Sequence, residues 1–400
     1  MNKLHKNLVE AVTTALRQIF DEHQYADQAI ERLLKANAKW GSRDRAFIAE
    51  TTYEIVRWWR WIWELLERSP TSPHYWKAVG VWLFLKEYPL PDWQEFQDIH
   101  FQKIAYLKKK LEPIRKIRQS VPDWLDELGW NELGEQWDAT LQKLNEPAQV
   151  VLRVNRLKTN VNTLVALLQK ENIIAQPYLD DALILPKRQN VFATKAFKDG
   201  LFEVQDFSSQ QVAPMLDVKA GMRVVDACAG AGGKTLHLAS LMNNKGKIIA
   251  LDTEVRKLEE LKRRARRAGA SDMIETRLIE NAKTVKRLYD SADRLLLDVP
   301  CSGLGVLRRN PDAKWKLSPS FIEHLQKLQE EILNEYHPIC KVGGKVVYAT
   351  CSVLPSENEH QIQKFLQKYP DKFVLIEEKR ILPQENGFDG FYIAVLERKN

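Results

Sequence analysis

RVVDACAGAGGKTLHLASLMNNKGKIIALD, residues 223–252, begins with a short β-branched run ending in an acid and then turns on Gly230, Gly232 and Gly233. A helical pattern follows, and a second β-branched run closes on Asp252. The order is strand, turn, helix, strand. Outward from it the alternation continues: RLLLD (294–298) and KVVYA (345–349) are further runs, spaced by the helical patterns VRKLEELKRRARRAG and FIEHLQKLQEEILNEY. Such alternation predicts an α/β domain, a parallel sheet with helices on both faces and ligands at the carboxyl ends of its strands.

The chemistry-bearing residues stand at those ends. Glycines after the first strand permit a tight turn and bring backbone N–H groups near a ligand, ahead of a helix N-terminus that favours negative charge. A P-loop is excluded, because GxxxxGK[ST] would need its first glycine where Cys228 stands. GAGGKT also lacks the third glycine of a dinucleotide fingerprint. Asp252 stands about twenty residues past the turn, where a carboxylate can accept from the two ribose hydroxyls of an adenosine-containing cofactor or cap the next helix. LLLDVPCSGLG (295–305) puts Asp298 at a strand end, where burial demands a donor. Pro300 stiffens the turn that presents Cys301, and YATCS puts Cys351 at the next strand end. Two thiols on one sheet edge read as chemistry, whereas Cys228 and Cys340 read as small buried hydrophobes. Zinc is excluded: there is no CxxC, and the histidines form no HxH or HExxH pair.

The first 118 residues are almost wholly helical in pattern. Trp58, Trp59, Trp61 and Trp63 crowd one segment and read as core filling, with base stacking as the alternative. Lys103, Lys108, Lys109, Lys110, Arg115, Lys116 and Arg118 share their stretch with a single acid, Glu112, and form a solvated face or a phosphate-contacting surface. VVLRVNRL, NTLVALLQKENI and ALILP suggest a small α/β module ending near residue 202. Four hundred residues with 44% hydrophobic content and four scattered cysteines describe a globular chain with reduced thiols, expected in the cytoplasm. No run approaches the roughly 18 apolar residues of a membrane helix, and the start does not resemble a signal peptide. A net charge of +7 favours an anionic partner, with nucleic acid the leading candidate.

DACAGAGGKT, LLLDVPCSGLG and KVVYATCSVLPSENEHQI together resemble the signature motifs of the Sun/RsmB-type RNA (cytosine-5)-methyltransferases. LFEVQDFSSQQVAPML, RVNRL and ILPQENGFDGFYIAVLERK extend the likeness over residues 119–400, and ADQAIERLLKANAKWGSRDRAFIAETTYEIVRWWRW is similar to the NusB-like domain of bacterial ribosomal RNA members. The resemblance implies a Rossmann-like, class I S-adenosylmethionine-dependent domain over 203–400. Before it would come a helical NusB-like RNA-binding domain over 1–118 and a small α/β RNA-binding module over 119–202. It implies Cys351 as nucleophile and Cys301 as the aid to product release. It places S-adenosylmethionine against Cys228, Ala229, Gly230, Ala231, Gly232, Gly233, Lys234, Asp252 and Asp298. Members commonly read CAAPGGK where this chain has CAGAGGK, and Asn281 in RLIENAK stands where the family often has an aspartate near the adenine.

The chemistry explains the two thiols: carbon 5 of cytosine is too weak a nucleophile until a thiolate adds to carbon 6. Asp298 can also hold the base by its pairing edge. The expected partner is RNA, 16S ribosomal RNA ahead of transfer RNA, with no membrane, no metal and a monomer compatible with the chain. The target base must be unstacked, and the helix of residues 255–269 can hold flanking phosphates. The competing readings are a non-catalytic RNA-binding assembly protein on a retired fold and an amino-group methyltransferase. Both thiols and the glycine turn oppose the first, and Asp298-Val-Pro-Cys in place of an Asn/Asp-Pro-Pro-aromatic sequence opposes the second.

Overall fold

The computed structural model describes residues 4–399 and divides into two compact units. One runs through Glu146 and includes Leu307–Pro319; the other comprises Pro147–Val306 and the chain from Ser320 on.

The first unit is helical. Helices Lys6–Phe20, Ser42–Arg57, Trp59–Leu66 and Tyr75–Leu85 bury their apolar stripes against one another. Trp59, Trp61 and Trp63 are buried and Trp58 packs partly buried against the same core, so the tryptophan cluster is core. Phe20 stacks on Trp59 at 3.6 Å. Helices Asp123–Leu133 and Gln136–Leu144 belong to this unit rather than to the strands that follow. So does the segment after Val306: Trp315 Nε1 donates to the Val56 carbonyl at 2.7 Å, and Asp312 accepts from Ala26 N–H at 3.0 Å.

The lysine-rich stretch meets more acid than its own sequence offers. Lys103 pairs with Glu67, Arg115 with Asp126, Lys116 with Asp123 and Arg118 with Asp138, which leaves Lys108, Lys109 and Lys110 as its exposed basic cluster.

The second unit carries two sheets. The smaller has strands β1 (Val150–Val154), β2 (Gln176–Pro177), β3 (Ala182–Leu185) and β4 (Phe202–Val204), in the order β2-β3-β1-β4. The larger has β5 (Arg223–Asp226), β6 (Lys247–Asp252), β7 (Ile274–Leu278), β8 (Ala292–Asp298), β9 (Cys340–Thr350), β10 (Phe373–Ile381) and β11 (Phe391–Arg398). Their order is β10-β11-β9-β8-β5-β6-β7. The five strands β5 to β9 pair in parallel, and β11 and β10 add antiparallel. This is the expected Rossmann-like architecture. Both faces of β5, β6, β8 and β9 are covered by packed apolar side chains, which is why their sequences are nearly continuous apolar runs. Among the described residues no helix is long and apolar enough to cross a membrane.

Candidate active site

Strand order brings Cys301 and Cys351 together. β8 and β9 are parallel neighbours with Asp298 opposite Ala349, so the chain emerges from both at one edge. Just beyond, Cys301 and Cys351 approach to 3.4 Å between sulfurs. The loops are tied by backbone: Val299 N–H donates to the Ala349 carbonyl at 3.1 Å, and Gly305 N–H donates to the Cys351 carbonyl at 2.9 Å. A Cβ at Gly305 would lie 2.1 Å from the Gly390 carbonyl oxygen, so this close approach needs glycine. The hydrogen bond to Cys351, then burial, then the charges of Cys351 and Glu357 push the Cys301 thiol well above its ordinary value. Either sulfur can donate across this contact.

The other half of the site lies at the ends of β5 and β6. Gly230 and Gly232 take φ of +54° and +86°, the left-handed region that glycine enters freely, and the helix Gly233–Leu241 follows. Asp252 holds the turn: one carboxylate oxygen accepts from Gly230 N–H at 2.9 Å, the other from Glu254 N–H at 2.8 Å. Two arginines brace it by its carbonyls, Arg153 on Gly233 at 2.7 Å and Arg264 on Ala231 at 2.8 Å. Cys228 is half-buried; burial, with Asp226, Asp298 and Asp252 nearby, holds its thiol well above the ordinary range.

Lys234 joins the halves. Its ammonium is 2.6 Å from Asp298 and 5.3 Å from the ring centre of Phe391. Burial works against the charge, yet the carboxylate of Asp298, assisted by Cys351 and Asp226, keeps its pKa above the usual lysine value.

Asn281 makes a local contact. Asn281 is exposed, beyond β7, and its side-chain oxygen accepts from Lys283 N–H at 3.0 Å as the cap of the helix Ala282–Lys286. The basic helix Val255–Ala268 also differs from expectation: Arg264 and Arg267 turn inward to the buried Glu203, while Arg256, Lys262, Arg263 and Arg266 stay exposed. Two neighbours of the site went unread in the sequence. Asp226 is buried at the end of β5, accepts the Thr235 hydroxyl at 2.7 Å, and has its carboxyl pushed by burial up to about 7. An acid closing an apolar run was its signal, the same as for Asp298. Glu357, inside PSENEH, resembles a helix start and gave no such signal.

Comparison with known proteins agrees with this geometry. Residues 213–397 match the family described as "16S rRNA methyltransferase RsmB/F", and residues 121–192 match its "ferredoxin-like domain". A "Probable ribosomal RNA small subunit methyltransferase B" of Synechocystis is 31% identical, over 96% of this chain and 97% of its own. Among solved structures, "Crystal Structure of PH0851" superposes with a TM-score of 0.83 at 25% identity, covering 99% of both chains. "The crystal structure of NSun6 from Pyrococcus horikoshii with SFG" gives 0.63 at 22% identity, over 70% of this chain and 98% of the other, and shares the fold. By full-length likeness and by the domain matched, this chain belongs to the RsmB/F family of S-adenosylmethionine-dependent 16S ribosomal RNA methyltransferases.

Proposed function

We propose that this chain transfers a methyl group to carbon 5 of a cytosine in 16S ribosomal RNA in the cytoplasm, through a covalent bond between Cys351 and carbon 6. The observation that carries the reading is the pair of sulfurs 3.4 Å apart at the edge of a methyltransferase sheet. A methyltransferase acting on a ring or amino nitrogen has no need of such a pair, whereas carbon 5 of cytosine does.

The residues at β5 and β6 fit the cofactor. At Gly230 the turn is open, with no atom within 4 Å of where a Cβ would stand. Each oxygen of Asp252 spends one lone pair on a backbone N–H and keeps another for a ribose hydroxyl. The segment Cys228–Lys234 and Asp298 complete the wall. When bound, S-adenosylmethionine supplies the electrophilic methyl that carbon 5 takes up.

The remaining chemistry belongs to the chain. The raised Cys301 thiol keeps its proton, and the Cys351 sulfur adds to carbon 6, so that the electron pair of the carbon 5–carbon 6 double bond becomes available at carbon 5. Asp298, fixed by Lys234, accepts a hydrogen bond from the pairing edge of the base. Adduct formation turns Cys351 into a neutral thioether. That removes the hydrogen-bond acceptor and the charge that held the Cys301 pKa up, so Cys301 can pass its proton to water and act as the base for the carbon-5 proton. Loss of that proton re-forms the double bond and expels Cys351.

RNA binding falls to residues 1–118 and 119–202, with transfer over 203–400. The exposed Lys108–Lys110 cluster and the outer arginines of Val255–Ala268 are suited to backbone phosphates.

The test is transfer of labelled methyl groups to unmodified total RNA by the wild type, Cys351→Ala and Cys301→Ala, followed by bisulfite sequencing. The expected result is one new 5-methylcytosine in 16S ribosomal RNA, loss of turnover with Cys351→Ala, and a protein–RNA adduct that accumulates with Cys301→Ala. Methylation that survives Cys351→Ala overturns the reading.

A further inference from the structure

The residue after each reactive cysteine is a serine, and both serines are buried. Ser302 and Ser352 bring their hydroxyl oxygens to 3.2 Å, and both donate to Oε2 of Glu357 at 2.5 Å. Oε1 of the same carboxylate accepts from Ser302 N–H at 2.8 Å and from Gln329 Nε2 at 3.0 Å. Gln329 also donates to the Pro300 carbonyl at 2.9 Å, so the residues on both sides of Cys301 are held from one place. Around Cys351, Asn358 does the same. It accepts from the Thr350 hydroxyl and donates to the Ser352 carbonyl at 3.1 Å. The Tyr348 hydroxyl, donating to the Glu357 carbonyl at 2.6 Å, fixes the backbone from which this carboxylate reaches.

We propose that Glu357 is the positioning residue that sets the separation of the two catalytic sulfurs, by taking the serine beside each cysteine onto one carboxylate. A wholly buried carboxylate is costly unless every lone pair in use meets a donor, and here four donors are supplied. A hydrophobic side chain could fill the space, but it could not join two loops at once. The carboxylate is rigid and bidentate, so a shift of either loop must break one of its bonds. Misplacing reacting groups by about 1 Å can cost about a hundredfold in rate, which gives the bridge its purpose. The proposal rests on the thiol-pair reading for that purpose, while the separation itself is measurable without RNA.

The experiment uses the full chain as wild type, Glu357→Ala, Glu357→Gln and the double variant Ser302→Ala/Ser352→Ala. Diamide oxidises the two thiols to a disulfide, taking up both thiol hydrogens and becoming the hydrazine, and mass spectrometry of the linked peptides gives the rate at which Cys301 joins Cys351. Methylation kinetics and the Kd for S-adenosylhomocysteine are measured alongside. Glu357→Ala is expected to slow cross-linking about tenfold and lower kcat about a hundredfold, with the Kd changed by less than about twofold. Glu357→Gln can accept from Ser302 N–H at one end and donate to both serine oxygens at the other, so it should cross-link within about threefold of wild type. If Glu357→Ala loses the ligand and thus its fold, the double serine variant decides. Slower cross-linking at unchanged Kd supports the bridge, and wild-type cross-linking overturns it. Wild-type cross-linking in a folded Glu357→Ala overturns it equally. A wild type that cross-links but methylates no RNA overturns the proposed function and leaves the bridge standing.

Discussion

At the ends of β5 and β6 the main chain is held by single side chains: Asp252 takes the Gly230 and Glu254 N–H groups, and arginines take the carbonyls of the turn. At the ends of β8 and β9 the two thiol loops, besides their backbone ties, are held by a connected network of buried side chains, Glu357, Gln329 and Asn358. The contrast suits the tasks. A cofactor that enters and leaves needs a cradle of donors with open space over Gly230. Two sulfurs that must meet one base need a fixed separation, which a network of satisfied buried polar groups supplies. Damage to the two edges should therefore separate in experiment, one edge losing affinity and the other losing rate.

The largest separation is expected from Gly305→Ala. The added methyl would stand 2.1 Å from the Gly390 carbonyl oxygen and 2.7 Å from that of Cys351, so backbone must move beside Cys351. Methyl transfer should fall by about a hundredfold or more, with cofactor affinity within about threefold of wild type. Calorimetry with S-adenosylhomocysteine and single-turnover transfer report the two quantities. A loss of affinity equal to the loss of rate would show that the edges are not independent.

Asp252→Ala is the converse. It leaves the Gly230 and Glu254 N–H groups without their acceptor and deletes the carboxylate proposed to meet the ribose. A cost of about 2 kcal/mol is expected, or a cofactor Kd raised about thirtyfold. Diamide cross-linking of Cys301 to Cys351 should keep its wild-type rate, since none of the bonds about the thiols involves β6. Slower cross-linking would merge the two edges into one unit.

How legible each edge was in the sequence follows from the same contrast. The glycine turn, Asp252, Asp298 and both cysteines each close an apolar run, and a parallel sheet gathers such ends by topology alone. The tryptophans were readable as core because of their helical spacing. What stayed hidden depends on partners far along the chain. Glu357 meets Ser302 across 55 positions, Arg153 meets Gly233 across 80, and the acids that pair with Arg115 and Arg118 come from helices that a local count of charges omits. At Asn281 two roles coincide in the sequence: a residue after a strand and before a helix is also where a cap belongs, and its oxygen serves Lys283. The segment Leu307–Pro319 lies between two pieces of the α/β unit in sequence but packs with the helices, which no periodicity reveals.

One side chain on the cofactor edge is held in the manner of the thiol edge, and it gives the smallest effect. Asp226 is buried, and burial raises its carboxyl from 3.8 to about 7 despite the hydrogen bond from Thr235. A carboxyl raised in the folded state binds its proton more tightly there than in the unfolded chain. Its contribution to stability is therefore fully present below pH 3.8 and is lost as pH rises through about 7. The shift corresponds to a free energy on the order of 4 kcal/mol across that window, an upper figure since the buried site can relax. Asp226→Asn keeps an acceptor for the Thr235 hydroxyl and carries no charge at any pH, so its stability should lack this slope. Thermal melts from pH 5.5 to 8 should show the wild type falling relative to Asp226→Asn by about 3 °C or more. Parallel curves would mean that Asp226 is already ionised at the lower pH. Lys234 and the N–H groups of the turn would then stabilise its charge, and burial would not govern this carboxylate.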